Sequence, residues 1–349
     1  MPLPLPPALV PPPTDLSLFR AALSHSEFAL PHSYSSAHRV VRVERKSCVL
    51  ATPDGPRTVP TTIGVAVGDW ALLDDAGQVS GIQPRSTEIR RLGVGGRAVE
   101  QVLAANLDIV AVCAPLERDA RLGRVERLLA LAWASGAQPL LVATKIDLCR
   151  PEDVGPALSQ FGAAAPGVDV VPVTVTDLTS LDPVRAMIAP DRTLVAIGAS
   201  GAGKSTLING LVGGMELATG AVRESDGKGR HTTAWRELVE LPGGGYLIDT
   251  PGLRAVGLSD AAEGVDAAYA DITDLAAQCR FSDCGHESEP GCAVRAAIER
   301  GEIDAGRLER HRKLQRELAF QARRFDARAR SEERKRWAKL SRNSNPARP

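Results

Sequence analysis

A glycine-rich loop has the residue types and spacing of a phosphate-binding site. It fits the pattern G-x-x-x-x-G-K-[ST], after the apolar run Thr193–Ile197 and before a helical segment. Backbone N–H groups of such a loop converge on phosphates at a helix N-terminus, where Thr206 is also predicted to bind. We expect Lys204 to reach the β- and γ-phosphates as a catalytic cation and Ser205 to ligate Mg²⁺. The loop consists of Gly198, Ala199, Ser200, Gly201, Ala202, Gly203, Lys204 and Ser205.

A second motif, Thr144-Lys145-Ile146-Asp147, has the residues that recognise a guanine base. The Asp147 carboxylate can accept hydrogen bonds from the ring N–H and the exocyclic amine of guanine, whereas adenine would leave it unpaired. Lys145 would lie along the base plane. Thr144 replaces the commoner Asn of N-K-x-D, so one bracing amide is missing. Taken alone the motif could be an ordinary turn. Thr174-Val175, after the next apolar run, would back the base.

Asp249-Thr250-Pro251-Gly252 fits the D-x-x-G element of GTP-binding proteins and ends an apolar run. We expect Asp249 to hold the Mg²⁺ shell and the Gly252 N–H to sense the γ-phosphate. The next residue is Leu253, where many GTPases carry a Gln that orients the attacking water. A leucine side chain cannot do this, so hydrolysis must use another residue or a partner.

The segment Gly229-Arg230-His231-Thr232-Thr233 supplies candidates for that role. His231 is the predicted catalytic residue, and the alternative is a surface histidine in a loop. Thr232 is predicted to bind Mg²⁺ and to take part in catalysis, with Thr233 as the close alternative.

The order of these four elements is itself informative. An ordinary GTPase has the phosphate loop first, then the switch threonine, the D-x-x-G element and the base-reading motif. Here the base-reading motif at 144–147 comes first and the D-x-x-G element at 249–252 comes last. The sequence therefore predicts a circularly permuted GTPase domain.

Three cysteines and a histidine fall within fourteen residues as Cys279-x4-Cys284-x-His286-x5-Cys292. Three thiolates and one imidazole complete a tetrahedral set with no open position, which predicts one structural zinc ion. The alternative is a group of unrelated buried cysteines.

The chain is predicted to be a multidomain protein with four regions. Residues 1–36 form a Pro-rich extension expected to be disordered. Residues 37–94 contain short β-prone runs, among them Gly64–Leu73, and favour a small β-barrel such as an OB-fold. Residues 95–257 alternate buried strands with helices, which predicts an α/β P-loop GTPase domain. Residues 258–349 are expected to be an α-helical zinc-binding domain with a basic tail.

Charge is unevenly distributed although the formal net charge is zero. Residues 307–349 hold fifteen Lys/Arg and five Asp/Glu, so the rest of the chain is net negative. This asymmetry favours a tail that meets a polyanion, and the alternative is a charged helix in water. One or two long helices are expected over 307–340.

The composition is that of a soluble globular protein, with 44% hydrophobic and 24% charged residues. No apolar run approaches the ~18 residues that span a bilayer. The first residues lack the basic start of a signal peptide. We therefore expect a cytoplasmic protein with no membrane partner, acting as a monomer.

With these elements in this order, the chain resembles the ribosome small subunit-dependent GTPase A family. The similarity runs from about residue 37 to about residue 340 and includes Val67-Gly68-Asp69-Trp70, Gln101–Asn106, 229–233 and the Cys/His cluster. It implies an OB-fold, a permuted GTPase domain and a zinc domain. It also implies GTP and GDP binding and late maturation of the small ribosomal subunit, with rRNA contact and GTP hydrolysis stimulated by the subunit.

Two other functions fit parts of this sequence. The first is an RNA-binding assembly factor that only binds nucleotide, which intact Lys204, Ser205, Thr232 and Asp249 argue against. The second is a permuted GTPase of the large subunit, which the Cys/His cluster disfavours. Because of the permutation, the segment 249–253 ends the GTPase domain and is followed directly by the zinc domain. A change at the γ-phosphate could therefore bias the position of the zinc domain.

Overall fold

The computed structural model describes residues 37–91, 101–117, 121–188, 190–213, 237–249 and 262–323, with only the backbone of Asp249. The predicted Pro-rich extension and the basic residues after 323 lie outside this part of the chain. Within the described ranges, no helix is both long enough and apolar enough to cross a membrane.

Five short strands at the start of the described chain form a small barrel. Their antiparallel order is β3-β2-β1-β4-β5, and a parallel bridge between Thr61 and Val79 joins the two ends. Buried Val40, Leu50 and Val59 fill the interior. A five-stranded barrel with this connectivity is an OB-fold, as predicted. The strands are β1 (Ala37–Val43), β2 (Ser47–Thr52), β3 (Gly55–Pro60), β4 (Trp70–Leu73) and β5 (Val79–Ile82).

The run Gly64–Leu73 is not the continuous strand that its sequence predicts. Only β4 is extended, because the chain turns at Gly68, where φ is +90°. A Cβ on Gly68 would lie 2.1 Å from the Ala105 carbonyl oxygen, so glycine is required there. The buried carboxylate of Asp69 then accepts hydrogen bonds from the Ala66 N–H and from Nε of Arg85, each at 2.7 Å. Contacts with the distant residues Ala105 and Arg85 therefore override the β propensity of this run.

A hairpin of β6 (Glu88–Arg91) and β7 (Gln101–Ala105) precedes the central sheet. That sheet has the order β10-β9-β8-β11-β13-β12, in which all strands but β12 are parallel. A pairing between Arg42 and Glu237 joins β12 to β1, so barrel and central sheet are continuous. The strands are β8 (Ile109–Pro115), β9 (Gln138–Thr144), β10 (Asp169–Pro172), β11 (Thr193–Gly198), β12 (Glu237–Glu240) and β13 (Tyr246–Asp249).

Helices cover both faces of the central sheet. Successive residues of β8 point into two different cores, with Val110 in one and Ile109 in the other. Leu129 packs in the first core and Leu207 in the second. This burial on both faces explains the continuous apolar runs of these strands. The helices are α1 (Leu122–Ala134), α2 (Pro151–Ala164), α3 (Asp182–Ile188) and α4 (Lys204–Val212).

The C-terminal helices pack directly on α1. Gly264 approaches so closely that a Cβ would lie 1.9 Å from the Ala130 carbonyl oxygen. Tyr269 and Val294 belong to the same buried core as Leu129 of α1. The helices are α5 (Val265–Ala268), α6 (Ala270–Ala276), α7 (Ala293–Glu299) and α8 (305–323). The expected helix is thus present from 305 to 323, and the remainder of 307–340 lies outside the described residues.

Candidate nucleotide site and metal centre

Three of the predicted motifs, and the first residue of a fourth, lie at one edge of the central sheet. Its parallel strands have their carboxyl ends on the same side. Thr144 ends β9, Gly198 ends β11 and Asp249 ends β13, while Thr174 follows β10 shortly afterwards. Open α/β sheets bind their ligands at this edge.

The phosphate loop has the backbone conformation that its glycines allow. Gly198, Gly201 and Gly203 have φ of +154°, +75° and +84°. A Cβ on Gly198 would lie 2.6 Å from the carbonyl oxygen of Cys113 in β8, so the loop is packed onto the neighbouring strand. Burial raises the pKa of the Cys113 thiol to about 12, which keeps it neutral beneath the loop.

Lys204 begins α4 and directs its ammonium group back over the loop. Its Nζ donates hydrogen bonds to the carbonyl oxygens of Gly198 (2.9 Å) and Ala199 (2.6 Å). Ser205 and Thr206 follow in the first helical turn and are both exposed. The cation, the hydroxyls and the helix N-terminus therefore converge on one place, as phosphate binding requires.

Thr144 provides a brace that sequence reasoning considered missing. Its buried hydroxyl donates a 2.9 Å hydrogen bond to the carbonyl oxygen of Ala202, in the middle of the phosphate loop. A Cβ on Gly203 would lie 3.0 Å from Cβ of Thr144, so the two segments are also in close contact. A threonine hydroxyl thus joins the base-reading motif to the phosphate loop.

Asp147 is positioned by the loop that follows β10. The hydroxyl of Thr174 donates a 2.7 Å hydrogen bond to Oδ1 of Asp147. Thr174 is held in turn by Ser180, whose Oγ accepts from the Thr174 N–H at 3.1 Å. Lys145 has a left-handed backbone with φ of +61°, which ends β9 and starts the 3₁₀ turn Ile146–Leu148.

A cavity of about 200 Å³ lies between these groups. Asp147 and Thr174 give it a polar edge, and Thr206 and Gly203 connect it to the phosphate loop. Its apolar lining includes three unusually exposed side chains, which suits the two faces of a flat base. These are Leu148, Val175 and Leu178, exposed by 75%, 55% and 55%. Leu148, Leu178 and Ser180 were not predicted, because a lone apolar or hydroxyl residue in a loop carries no motif.

Several predicted residues lie outside the described part of the chain. His231, Thr232, Thr233, Gly252 and Leu253 are among them. For Asp249 the backbone places the residue at the end of β13, beside the phosphate-loop strand, since Ile248 pairs with Val195. The roles of these residues stay predictions.

The predicted metal ligands are brought together. One donor atom from each of Cys279, Cys284, His286 and Cys292 lies within 4.8 Å of the others. Nδ1 of His286 is 3.6 Å from Sγ of Cys279 and 3.4 Å from Sγ of Cys292, and those two sulfurs are 3.9 Å apart. A tetrahedral zinc ion with ordinary bond lengths needs edges of about 3.8 Å between sulfurs and about 3.6 Å between sulfur and nitrogen. The donor set therefore fits zinc.

The loop carrying these ligands has supports that sequence reasoning missed. The Glu289 carboxylate accepts hydrogen bonds from the backbone N–H groups of Gly285, Glu287 and Ser288. The backbone N–H of Glu289 itself and these neighbours lower the pKa of that carboxyl to about 2. His286 has φ of +59°, and Arg312 of α8 donates a 2.5 Å hydrogen bond to the Gly285 carbonyl.

A buried ionic cluster connects the C-terminal helices to α1. Glu126 of α1 is fully buried and accepts hydrogen bonds from Arg307 Nη1 (3.0 Å), Arg310 Nε (2.8 Å to Oε2) and the Tyr269 hydroxyl (2.9 Å). Arg307 also pairs bidentately with Asp271 at 2.7 and 2.8 Å. Internal ion pairs therefore account for Arg307 and Arg310, two of the fifteen basic residues counted over 307–349. Both are structural cations, since a buried carboxylate must be paired.

The fold has a central parallel sheet, a glycine-rich loop and a cavity that suits a nucleotide base. The T-K-x-D motif precedes the glycine-rich loop in the chain. Together these features define a circularly permuted P-loop GTPase. Residues 82–259 match the family model described as RsgA GTPase. The chain is 47% identical over 311 residues to the small ribosomal subunit biogenesis GTPase RsgA of Streptomyces coelicolor, covering 86% of this chain and 85% of that protein. The Streptomyces avermitilis protein of the same name is 46% identical over 313 residues, covering 86% and 84%. This chain belongs to the RsgA GTPase family.

Two solved structures share the fold. YjeQ from Thermotoga maritima matches with a TM-score of 0.60 and 20% identity over 81% of this chain and 98% of that one. YloQ, described as a circularly permuted GTPase, matches with a TM-score of 0.61 and 20% identity over 84% and 99%. These likenesses confirm the predicted permuted architecture.

Proposed function

We propose that this GTPase binds the small ribosomal subunit and assists its late maturation, hydrolysing GTP to GDP and phosphate with stimulation by the subunit. One observation carries the proposal. Thr144, Asp147, Thr174 and the phosphate loop surround a single cavity, in a chain whose relatives are named small ribosomal subunit biogenesis GTPases. This arrangement supports a GTP site with one part for the base and one for the phosphates, and the names of the relatives support the small subunit as the particle on which it acts.

In this proposal the phosphates lie over the glycine loop. Lys204 neutralises charge on the β- and γ-phosphates, and it would exchange its bonds to loop carbonyls for bonds to phosphate oxygens. Ser205, Asp249 and Thr232 are the residues that would hold Mg²⁺, and the exposed hydroxyl of Ser205 at the helix start fits that role. Bound Mg²⁺ supplies charge neutralisation for phosphoryl transfer.

Guanine selection is assigned to Asp147 with Lys145 along the base. Thr174 holds one carboxylate oxygen of Asp147, which limits rotation of the carboxylate before the base arrives. A pre-positioned acceptor loses less conformational entropy on binding than a mobile one.

Water orientation is assigned to His231, because Leu253 has no polar group. Stimulation by the subunit would act at this step, by placing His231 against the γ-phosphate. Gly252 would report the presence of that phosphate through its N–H group.

One structural zinc ion is assigned to the Cys279, Cys284, His286 and Cys292 cluster. Zinc would fix the loop between α6 and α7, and it has no open position for chemistry. The loop would then be a rigid element that packs on α8 and contacts rRNA together with the barrel and the basic tail.

The proposed division of the chain places the barrel at 37–94, the GTPase domain at 95–257 and the zinc domain at 258–349. The D-x-x-G element then ends the GTPase domain and leads into Gly264, which is packed against Ala130 of α1. A change at the γ-phosphate would be transmitted over this short connection. We expect a cytoplasmic monomer, as the sequence predicts.

Measuring GTP turnover tests the proposal. Purified protein is assayed alone, with small subunits and with large subunits at saturating GTP. We expect stimulation by small subunits only, its loss in Lys204→Ala, and its reduction in His231→Ala with GTP affinity near normal. Subunit binding without turnover would favour the assembly factor that only binds nucleotide, and stimulation by large subunits would contradict the assigned particle.

A further inference from the structure

A basic groove lies between the start of α1 and the middle of α8, and it shares no lining residue with the nucleotide cavity. Its volume is about 440 Å³. Arg121, Arg124 and Arg127 line one wall, and Arg310 and Lys313 line the other. No acidic side chain is among the described residues that line this groove.

Three of the five cations have no partner within the described part of the chain. The side chains of Arg121, Arg124 and Lys313 are exposed and form no ion pair there, whereas Arg127 pairs with Glu317 and Arg310 with Glu126. Unpaired charges focused in a concave surface create a local positive potential, which attracts anions.

The start of α1 is unfavourable for a helix that stands alone. Arg121 is the N-cap residue and makes no side-chain cap, and the first turn contains no acidic residue. Cations near a helix N-terminus oppose the helix dipole, and like charges three residues apart repel each other. A bound anion would relieve both effects, so the arrangement is best explained by a ligand that is negatively charged.

The two walls are held in place by buried contacts. Arg310 packs its stem against Gly123, where a Cβ would lie 3.5 Å from Cδ. Its Nε donates to both carboxylate oxygens of buried Glu126, at 3.0 and 2.8 Å. The Arg127–Glu317 pair joins the same two helices. The groove is therefore preorganised rather than formed on binding.

We propose that this groove binds the sugar-phosphate backbone of ribosomal RNA, an inference that rests on the proposed function. The cations from Arg121 to Arg127 extend over about 9 Å of helix, which suits successive phosphates better than a single ion. None of the described residues that line the groove has an aromatic side chain on which a base could stack. The chain continues after α8 into residues 324–349, which hold nine Lys/Arg and three Asp/Glu.

The test neutralises one free cation on each wall, in the double variant Arg124→Gln with Lys313→Gln. The matched control is Arg295→Gln with Arg300→Gln, which removes the same charge from two arginines that are paired with Glu299 and Glu302. Affinity for purified small subunits is measured at several salt concentrations. We expect the groove variant to bind more weakly than the wild type. Its slope of log affinity against log salt should be shallower by about one to two, because each lost phosphate contact reduces that slope by roughly 0.7 to 0.9. GTP affinity and thermal unfolding should match the wild type.

Equal slopes in the groove variant and the control would overturn the proposal. A second titration with isolated small-subunit rRNA separates it from the proposed function. The wild type could fail to bind small subunits while the groove variant still shows a shallower log-affinity against log-salt slope for rRNA. That result would contradict the proposed function and support RNA binding by the groove. In a third arm, inorganic phosphate is added to the wild type and the groove variant. Phosphate could raise the thermal stability of the wild type but not of the groove variant, while the two proteins show the same salt dependence of rRNA affinity. That result would mean that the groove binds a small anion and not RNA.

Discussion

The hydroxyl of Thr144 donates a 2.9 Å hydrogen bond to the carbonyl oxygen of Ala202, across 58 residues of sequence. This bond joins the segment to which we assign base recognition to the loop to which we assign phosphate binding. Thr144→Val keeps the shape of the side chain but leaves the Ala202 carbonyl without this partner. An unsatisfied buried carbonyl costs roughly 1–3 kcal/mol. We expect GTP affinity measured by calorimetry to fall about tenfold, since that corresponds to about 1.4 kcal/mol. Thr144→Ser keeps the hydroxyl and should bind GTP nearly as the wild type does. Equal affinities in the two variants would contradict the bracing role.

Asp147→Asn should change which base the pocket accepts. The amide replaces one acceptor oxygen with a donor, so guanine loses a hydrogen bond while xanthine, which presents an oxygen there, gains one. Competition binding with GTP and xanthosine triphosphate is the measurement, and we expect the preference to reverse. Glu152→Gln, an exposed carboxylate on α2, is the control. An unchanged preference in Asp147→Asn would remove this residue from base recognition.

Glu289→Ala should weaken metal retention without removing a metal ligand. The variant loses the acceptor for three backbone N–H groups of the ligand loop. Supports of this kind typically change metal affinity by about 10–100-fold. Elemental analysis should give one zinc per wild-type chain, and competition with a chelator should show faster loss from the variant. Glu287→Ala keeps its backbone N–H and should behave as the wild type. Cys284→Ser, which removes a ligand, should lose zinc outright.

Glu126→Ala should destabilise the whole described fold. Arg307 is buried, and the variant removes one of its two carboxylate partners, so a loss of about 3–5 kcal/mol in the free energy of unfolding is expected. Tyr269→Phe removes one hydrogen bond from the same carboxylate and should lose about 1.5–3 kcal/mol. Denaturant unfolding measures both. A loss in Glu126→Ala no larger than in Tyr269→Phe would show that the charge of Glu126 is not what stabilises the cluster.

Removing residues 324–349 should separate RNA contact from folding. The truncated chain retains Arg307, Leu308 and Leu314, which are buried, so its thermal unfolding should be close to that of the full chain. Loss of a basic tail that contacts phosphates should weaken subunit binding and flatten its salt dependence. Removing 307–349 instead would leave Glu126 without two arginines, and we expect that chain to be unstable. An unaltered salt slope in the shorter truncation would mean that the tail does not contact RNA.

Some features of the sequence were ambiguous until long-range contacts were known. The sequence does not distinguish the basic residues of α8 from one another. In the structure, Arg307 is buried and bonded to Glu126, whereas Lys313 lines the groove. The run Gly64–Leu73 reads as one strand, but the turn at Gly68 depends on the approach of Ala105, 37 residues later in the chain. Neither outcome follows from local propensity, because partners distant in sequence supply the deciding contacts.

The sequence by itself determined the chemistry of the chain. The glycine loop with Lys204, the carboxylate of Asp147 and the Cys279–Cys292 ligand set each require particular residue types at short spacing, and such local constraints can be read without a fold. The order of the motifs also revealed the permutation. Only the tertiary structure decided how these pieces work together: that Thr144 braces Ala202, that Thr174 holds Asp147, and that Glu126 ties α8 to α1. Hydrogen bonds and buried ion pairs depend on distances of a few ångströms between segments that are far apart in the chain, and folding alone sets those distances.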